Sequence, residues 1–200
     1  MLFRSIIGAS NVSRLIANYL EKNDRHVVLI DSNHTNIAKA KEEGLEAFNT
    51  NIYSDALTDN IELNDMGYLM ALTGSSDINK YAINKYRNQF GENGAYRLVT
   101  EEEMLDPTNN PKEALFSHTV NFPRLTRIVK KYPVIHEIEI NDEAHFKKLV
   151  EITINDKDSI PLFVKDTNGE LEIISSYSLE NPDIAEGYLL VYLGKPMGTV

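Results

Sequence analysis

Over the first hundred residues, short apolar runs alternate with longer amphipathic stretches. Leu2-Phe3-Arg4-Ser5-Ile6-Ile7 reads as a strand that stops at Gly8. Leu15, Ile16, Tyr19 and Leu20 then recur at helical spacing, which predicts a helix over roughly Asn11 to Lys22. His26-Val27-Val28-Leu29-Ile30 is an apolar strand closed by Asp31. Ser32 or Asn33 can cap the helix after it, which carries Ile37, Ala38 and Ala40 and stops at Gly44. Ala47-Phe48-Asn49 is a third short strand, and Ala56, Leu57 and Ile61 mark a short helix beyond it. Tyr68-Leu69-Met70-Ala71-Leu72 turns at Thr73-Gly74, Ser76 or Asp77 caps a long helix to about Phe90, and Ala95 to Val99 is a fifth strand. Strands apolar on both faces with helices between them imply a parallel sheet covered on both sides. Right-handed crossovers make it doubly wound, of the Rossmann type.

The period changes after Glu103, where Asp106-Pro107-Thr108-Asn109-Asn110-Pro111 is a turn-rich break. A helix is expected around Phe122 to Lys131, ended by Pro133. Val134 to Ile140 then alternates as a strand, and Phe146, Leu149 and Val150 suggest a short helix. Ile160 to Val164 and Leu171 to Ile174 flank Asp166-Thr167-Asn168-Gly169, a hairpin signal. Gly187 to Gly194 is a last strand. The expected architecture is α/β: a doubly wound parallel Rossmann-type sheet with its C-terminal crossover helix over residues 1–132, then a small α+β module over 133–200.

Composition narrows the function classes. The net charge of −10, from 30 acidic and 20 basic residues, repels phosphate backbones, and Arg124, Arg127, Lys130 and Lys131 read as one solvated helix face. Nucleic acid is therefore not an expected partner. The absence of cysteine removes thiolate metal sites and cysteine nucleophiles and fits a reducing cytoplasm. No apolar run approaches the ~18 residues that span a bilayer.

The turn Gly8-Ala9-Ser10-Asn11-Val12-Ser13 carries the chemistry. In the dinucleotide fingerprint G-x-G-x-x-G, the first glycine allows the turn, the second lets backbone approach a pyrophosphate, and the third lets helix and strand pack. Here Gly8 survives, and Ser10 and Ser13 take the other two places. Amides at the helix start can still face a phosphate. Ser10, however, puts a Cβ and a hydroxyl where a diphosphate would lie. Asp31, followed by Ser32, ends the second strand where an acid accepts from a ribose diol and repels a 2′-phosphate. Asn49 and Thr50, and Thr73 and Gly74, follow the next two strands and border the same crevice, where turn chemistry alone would also account for them.

Catalytic signatures are absent from the sequence. His26, His34, His118, His136 and His145 show no metal-ligand spacing, and no G-x-S-x-G elbow occurs. His118 is the one histidine kept as a candidate for acid–base work, with a surface role as its alternative. No catalytic residue and no metal is expected.

Ile6 to Ala17, Val27 to Asp31 and Ala71 to Asn79 resemble the TrkA-N (RCK-N) domain, and Ile160 to Asp166, Gly169 to Ile174 and Gly187 to Gly194 resemble a diverged TrkA-C (RCK-C) module. Leu115-Phe116-Ser117-His118-Thr119 is similar to the cytoplasmic tails of bacterial sodium/proton antiporters. The resemblance implies a cytoplasmic regulatory module at the inner face of the cell membrane. Its partner would be a membrane-embedded potassium or sodium transporter, antiporter or channel, fused upstream or encoded separately. It implies a homodimer through the N-terminal domain and AMP, ADP, ATP or NAD(H) in the crevice, held at Gly8, Ser10, Ser13 and Asp31. Asn49-Thr50 stands where the family often has Gly-Asp, which leaves the ligand's identity open. Nucleotide binding would then bias the dimer angle and through it the transporter. Two alternatives stand beside this reading: a ligand-free dimerisation scaffold, and a small NAD-dependent oxidoreductase.

Overall fold

The computed structural model describes residues 3–54, 66–90, 94–106, 108, 110–180 and 182–198. The helix expected around Ala56, Leu57 and Ile61 lies outside these described residues. The chain divides into two compact units, Met1–Leu98 and Val99–Val200.

The first unit contains β1 (Phe3–Ile7), α1 (Asn11–Lys22), β2 (Val27–Asp31), α2 (His34–Glu42), β3 (Glu46–Asn49), β4 (Met66–Ala71), α3 (Ser76–Phe90) and β5 (Ala95–Arg97). The strands form one sheet in the order β3-β2-β1-β4-β5, every neighbouring pair parallel. This is the doubly wound order, with its switch point between β1 and β4. Ile7, Val28, Ile30 and Ala71 pack with Ala82, Ile83 and Tyr86 of α3. The intervening Ile6, Leu29 and Met70 alternate to the other face and are fully buried, as are Ile16, Ala17 and Leu20 of α1. Burial on both faces is why these strands read as unbroken apolar runs.

Side-chain caps fix the helix starts. Asn33 accepts from the amides of Thr35 and Asn36, so it caps α2, while Ser32 does not. At α3 the cap is neither Ser76 nor Asp77. Ser75 Oγ accepts from the Ile78 amide at 3.3 Å, and Thr73 Oγ1 holds the Ser75 amide at 3.2 Å, so the turn after β4 positions the cap a residue earlier.

The second unit contains α4 (Glu101–Leu105), α5 (Phe122–Lys131), β6 (Ile135–Ile140), α6 (Glu143–Asn155), β7 (Ser159–Lys165), β8 (Leu171–Ile173), α7 (Ser176–Glu180) and β9 (Tyr188–Gly194). Its sheet is antiparallel, in the order β6-β9-β7-β8. The short helix expected around Phe146 runs for 13 residues, capped by Asp142 and burying Phe146, Leu149, Val150 and Thr153 on one stripe. A Thr100–Glu103 capping box starts α4, an element the hydrophobic pattern does not announce.

The compact division falls at 98/99, upstream of the 132/133 boundary read from the sequence. The bonds of residues 114–124 explain it. Leu115 bridges Ser175, the Phe116 amide donates to the Ile174 carbonyl at 2.7 Å, and Ser176 donates to Ala114 at 3.0 Å. From α5, Arg124 Nη2 donates to the carbonyls of Asp156 at 2.9 Å and Ser159 at 3.1 Å. Burial lowers the Arg124 pKa, and the Arg127 charge lowers it further. Arg127 and Lys131 of α5 both pair with Asp158. The expected solvated basic face is thus tied, by three of its four members, to the loop before β7.

Between β7 and β8, the Asp166 carboxylate accepts from the amides of Asn168 at 2.8 Å and Glu170 at 2.7 Å. These bonds, the Glu170 amide foremost and partly offset by desolvation, hold its pKa below the ordinary Asp value. A depressed folded-state pKa gives stability that is present above the unfolded value of ~3.9 and is lost as pH falls through the folded value. Protection of the Asn168 and Glu170 amides, measured against the intrinsic exchange rate at each pH, will therefore fall on acidification below about pH 4. Asp166→Ala will show low protection at every pH. A wild-type profile flat to pH 2 would remove the carboxylate from the hairpin's stability.

Candidate functional site

The C-terminal ends of β1 to β4 open a small cleft at the switch point. Gly8 leaves β1 with φ of +103°, and its amide donates to the Ile30 carbonyl at 2.7 Å. A Cβ there would lie 2.8 Å from the Leu72 carbonyl oxygen, so glycine is required both by conformation and by the approach of β4.

Ser10 caps α1. Its Oγ accepts from the Ser13 amide at 3.4 Å and lies 3.2 Å from Ser13 Oγ, which belongs to a fully buried residue. The two serines at the places of fingerprint glycines therefore bond each other, and Ser10 answers an amide that an anion would otherwise use. The first-turn amides of Asn11 and Val12 precede the helix's own ladder and are the donors left to a phosphate.

Asp31 reaches over the turn. Oδ2 accepts from the Ala9 amide at 2.9 Å and from Asn36 Nδ2 at 3.0 Å, and Oδ1 accepts from the Asn33 amide at 2.9 Å. An ionised carboxylate offers about four acceptor positions. Three are used within the chain, which leaves one for a ribose hydroxyl.

Of the residues read from the sequence, Gly8, Asp31, Ser32, Thr50 and Thr73 line the cleft. The others do not. Ala9, Val12 and Ser13 are buried under the turn, and Asn11 Oδ1 is held by Arg14 Nη2 at 2.5 Å. Asn49 turns its amide to the Asp31 carbonyl at 3.2 Å, and Gly74 is exposed outside the lining. Thr73 closes a turn of its own, with Oγ1 2.7 Å from Asn79 Oδ1. His118 belongs to the second unit and lines a cavity there, not this cleft.

Sequence reasoning missed Ile7, Ile30, Asn51, Ile52 and Ile78, which complete the wall, and Arg14. The Arg14 side chain is buried; Nη1 donates to the Ala9 carbonyl at 2.7 Å and Nε pairs with Glu43 at 2.7 Å, tying the turn to the end of α2. An arginine at the fourth position of a helix after a glycine turn is the only signal for it. The enclosed space is about 50 Å³, well below the ~300–1,000 Å³ of closed small-molecule pockets. A nucleotide would lie along the strand ends, with one group inserted.

The family model of the TrkA-N domain matches residues 5–104. No curated protein matches the chain. Among solved structures, the TrkA-N domain of the inner membrane protein ybaL from Escherichia coli is similar at 17% identity over 53% of this chain and 92% of that one, with a TM-score of 0.42. The NAD(P)-binding domain of an exopolyphosphatase-related protein from Archaeoglobus fulgidus is similar at 18% identity over 52% and 92%, with a TM-score of 0.39. The GsuK channel bound to NAD is similar at 12% identity over 96% of this chain and 37% of that one, with a TM-score of 0.46.

Proposed function

We propose, from the premise that this chain belongs to the TrkA-N domain family, that it is a ligand-sensing regulatory module binding an adenine nucleotide or NAD(H) along the ends of β1 to β4. The observation that carries the proposal is the Asp31 carboxylate at the end of β2, bonded to the Ala9 amide beside a glycine that no other residue can replace. In that place an acid meets a ribose diol, and the start of α1 meets a phosphate. The residues fit such a group with two restrictions. Asp31 has one acceptor position to give, and Ser10 already answers one amide of the helix start, so AMP or ADP asks less of the site than NAD(H) does.

We read the role as sensing: the described lining offers the Asp31 carboxylate and the hydroxyls of Ser32, Thr50 and Thr73, groups suited to holding a nucleotide. Our reading extends to a homodimer through the first unit, to a diverged TrkA-C module in the C-terminal part, and to a monovalent cation transporter or channel as the membrane partner at the cytoplasmic face. No helix among the described residues is long and apolar enough to cross a membrane. Ligand binding would shift the transporter only by differing in affinity between two dimer arrangements. The second reading, a scaffold without ligand, is favoured by the self-satisfaction of Asp31 and Ser10.

Calorimetric titration with AMP, ADP, ATP and NAD(H) decides between them. Binding is expected for at least one nucleotide, lost in Asp31→Ala and strengthened a few-fold in Asn36→Ala, which frees an acceptor position. Absence of heat from all of them in the wild-type protein would leave the scaffold.

A further inference from the structure

A larger cavity, about 370 Å³, opens entirely within the second unit, where α6 and α7 meet the segments around Asn110 and His118. This volume is in the range of small-molecule pockets, roughly 300–1,000 Å³. Its walls are apolar: Phe146, Val150 and Ile154 recur every four residues along α6, and Leu179 comes from α7. Two polar atoms in the lining are buried without a hydrogen-bond partner, Ser176 Oγ and Asn110 Oδ1. Ser176 is 4% exposed, and its main-chain amide is already bonded to Ala114, so the hydroxyl has no part in holding the segment together. Native proteins leave few such atoms unanswered, and an amide oxygen can be answered only by a donor.

The charges at the mouth choose among donors. Lys147 lines the cavity, but its ammonium is paired with Glu143 at 2.5 Å. Glu151 and Glu180 also line it and have no ion-pair partner among the described residues. With His118 as its remaining titratable side chain, the lining carries two such carboxylates against one paired ammonium, which disfavours carboxylates and phosphates and favours a cation.

We propose that this cavity binds a small hydrophobic amine. Its apolar body would lie against Phe146, Val150, Ile154 and Leu179. Its ammonium group would donate to Asn110 Oδ1 and Ser176 Oγ and be drawn by Glu151 and Glu180. Its lining shares no residue with the cleft of the first unit, and its ligand chemistry is opposite in charge to the nucleotide proposed there.

The test is calorimetric titration of the full chain with three probes of nearly equal shape: 2-phenylethylamine, 2-phenylethanol and phenylacetate. The amine is expected to bind saturably, the alcohol more weakly and phenylacetate not at all. Ser176→Ala should weaken the amine about tenfold, the worth of a hydrogen bond to a charged group. It removes an unbonded hydroxyl and so leaves the fold intact. Glu151→Gln with Glu180→Gln, two exposed positions that cannot threaten folding, should narrow the preference for amine over alcohol. Equal binding of all three probes, no binding of the amine at millimolar concentration, or variants indistinguishable from wild type would overturn the proposal. So would displacement of the amine by AMP, which would put the probe in the other cleft.

Discussion

Gly8→Ala is expected to destabilise the first unit by about 3 kcal/mol and to abolish any nucleotide binding together with it. Two costs add. At φ of +103° an L-residue leaves the ordinary regions, and the new methyl would sit 2.8 Å from the Leu72 carbonyl oxygen. That oxygen is main chain, in a segment whose own amide is bonded to the Ile7 carbonyl at 2.9 Å, so β4 cannot yield without loosening its pairing with β1. Urea unfolding of the variant measures the loss. Gly44→Ala serves as the comparison, because Gly44 also has a positive φ but meets nothing within 4 Å. It should cost only the conformational part, about 1 kcal/mol. Equal losses at the two positions would show that the approach of Leu72 does not matter.

Phe116→Ala is expected to cost the second unit about 3–5 kcal/mol. Phe116 is fully buried, edge-on to Phe163 with ring centroids 6.4 Å apart, and its removal opens a cavity between segment 114–116 and the sheet. It also stands at φ of +71°, which a bulky residue adopts only when its surroundings compel it. The ranking of two variants tests both statements. Elsewhere glycine is less stable than alanine, whereas Phe116→Gly should here be no worse than Phe116→Ala, because glycine relieves the backbone. A loss under about 1 kcal/mol for Phe116→Ala in urea unfolding would show that the ring is not part of the packing.

What could be read from residues alone follows the physics of each element. Parallel strands covered on both faces leave continuous apolar runs, so the five-stranded sheet was legible from Ile6-Ile7, Val27 to Ile30 and Leu69 to Ala71. The Gly8 turn and Asp31 were legible because a tight turn and a strand-terminal acid have fixed places in the chain. Asn51 and Ile52 were not, since loop residues carry no period, and nothing in the helical spacing of Ile78 at the start of α3 says that it meets the cleft; in each case the fold decides the approach. Helices of five residues, α4 and α7, are too short to show a stripe. Residues 114–116 are buried without periodicity, which a pattern of alternation cannot reveal. The amphipathic stripe of α5 announced a helix but not its partner; the carbonyls that Arg124 collects decide that. Arg14 was passed over because a charged residue on an early helix turn reads as solvated, whereas its guanidinium is folded under the glycine turn.

Arg14 has a wider consequence. By bonding the Ala9 carbonyl, Asn11 and Glu43 at once, it fastens the turn after the central strand to the far end of a neighbouring helix. A nucleotide of the kind proposed above would meet there a turn already braced by these bonds, so discrimination among such ligands would rest on fit to a preset form, with little adaptation of the loop to each.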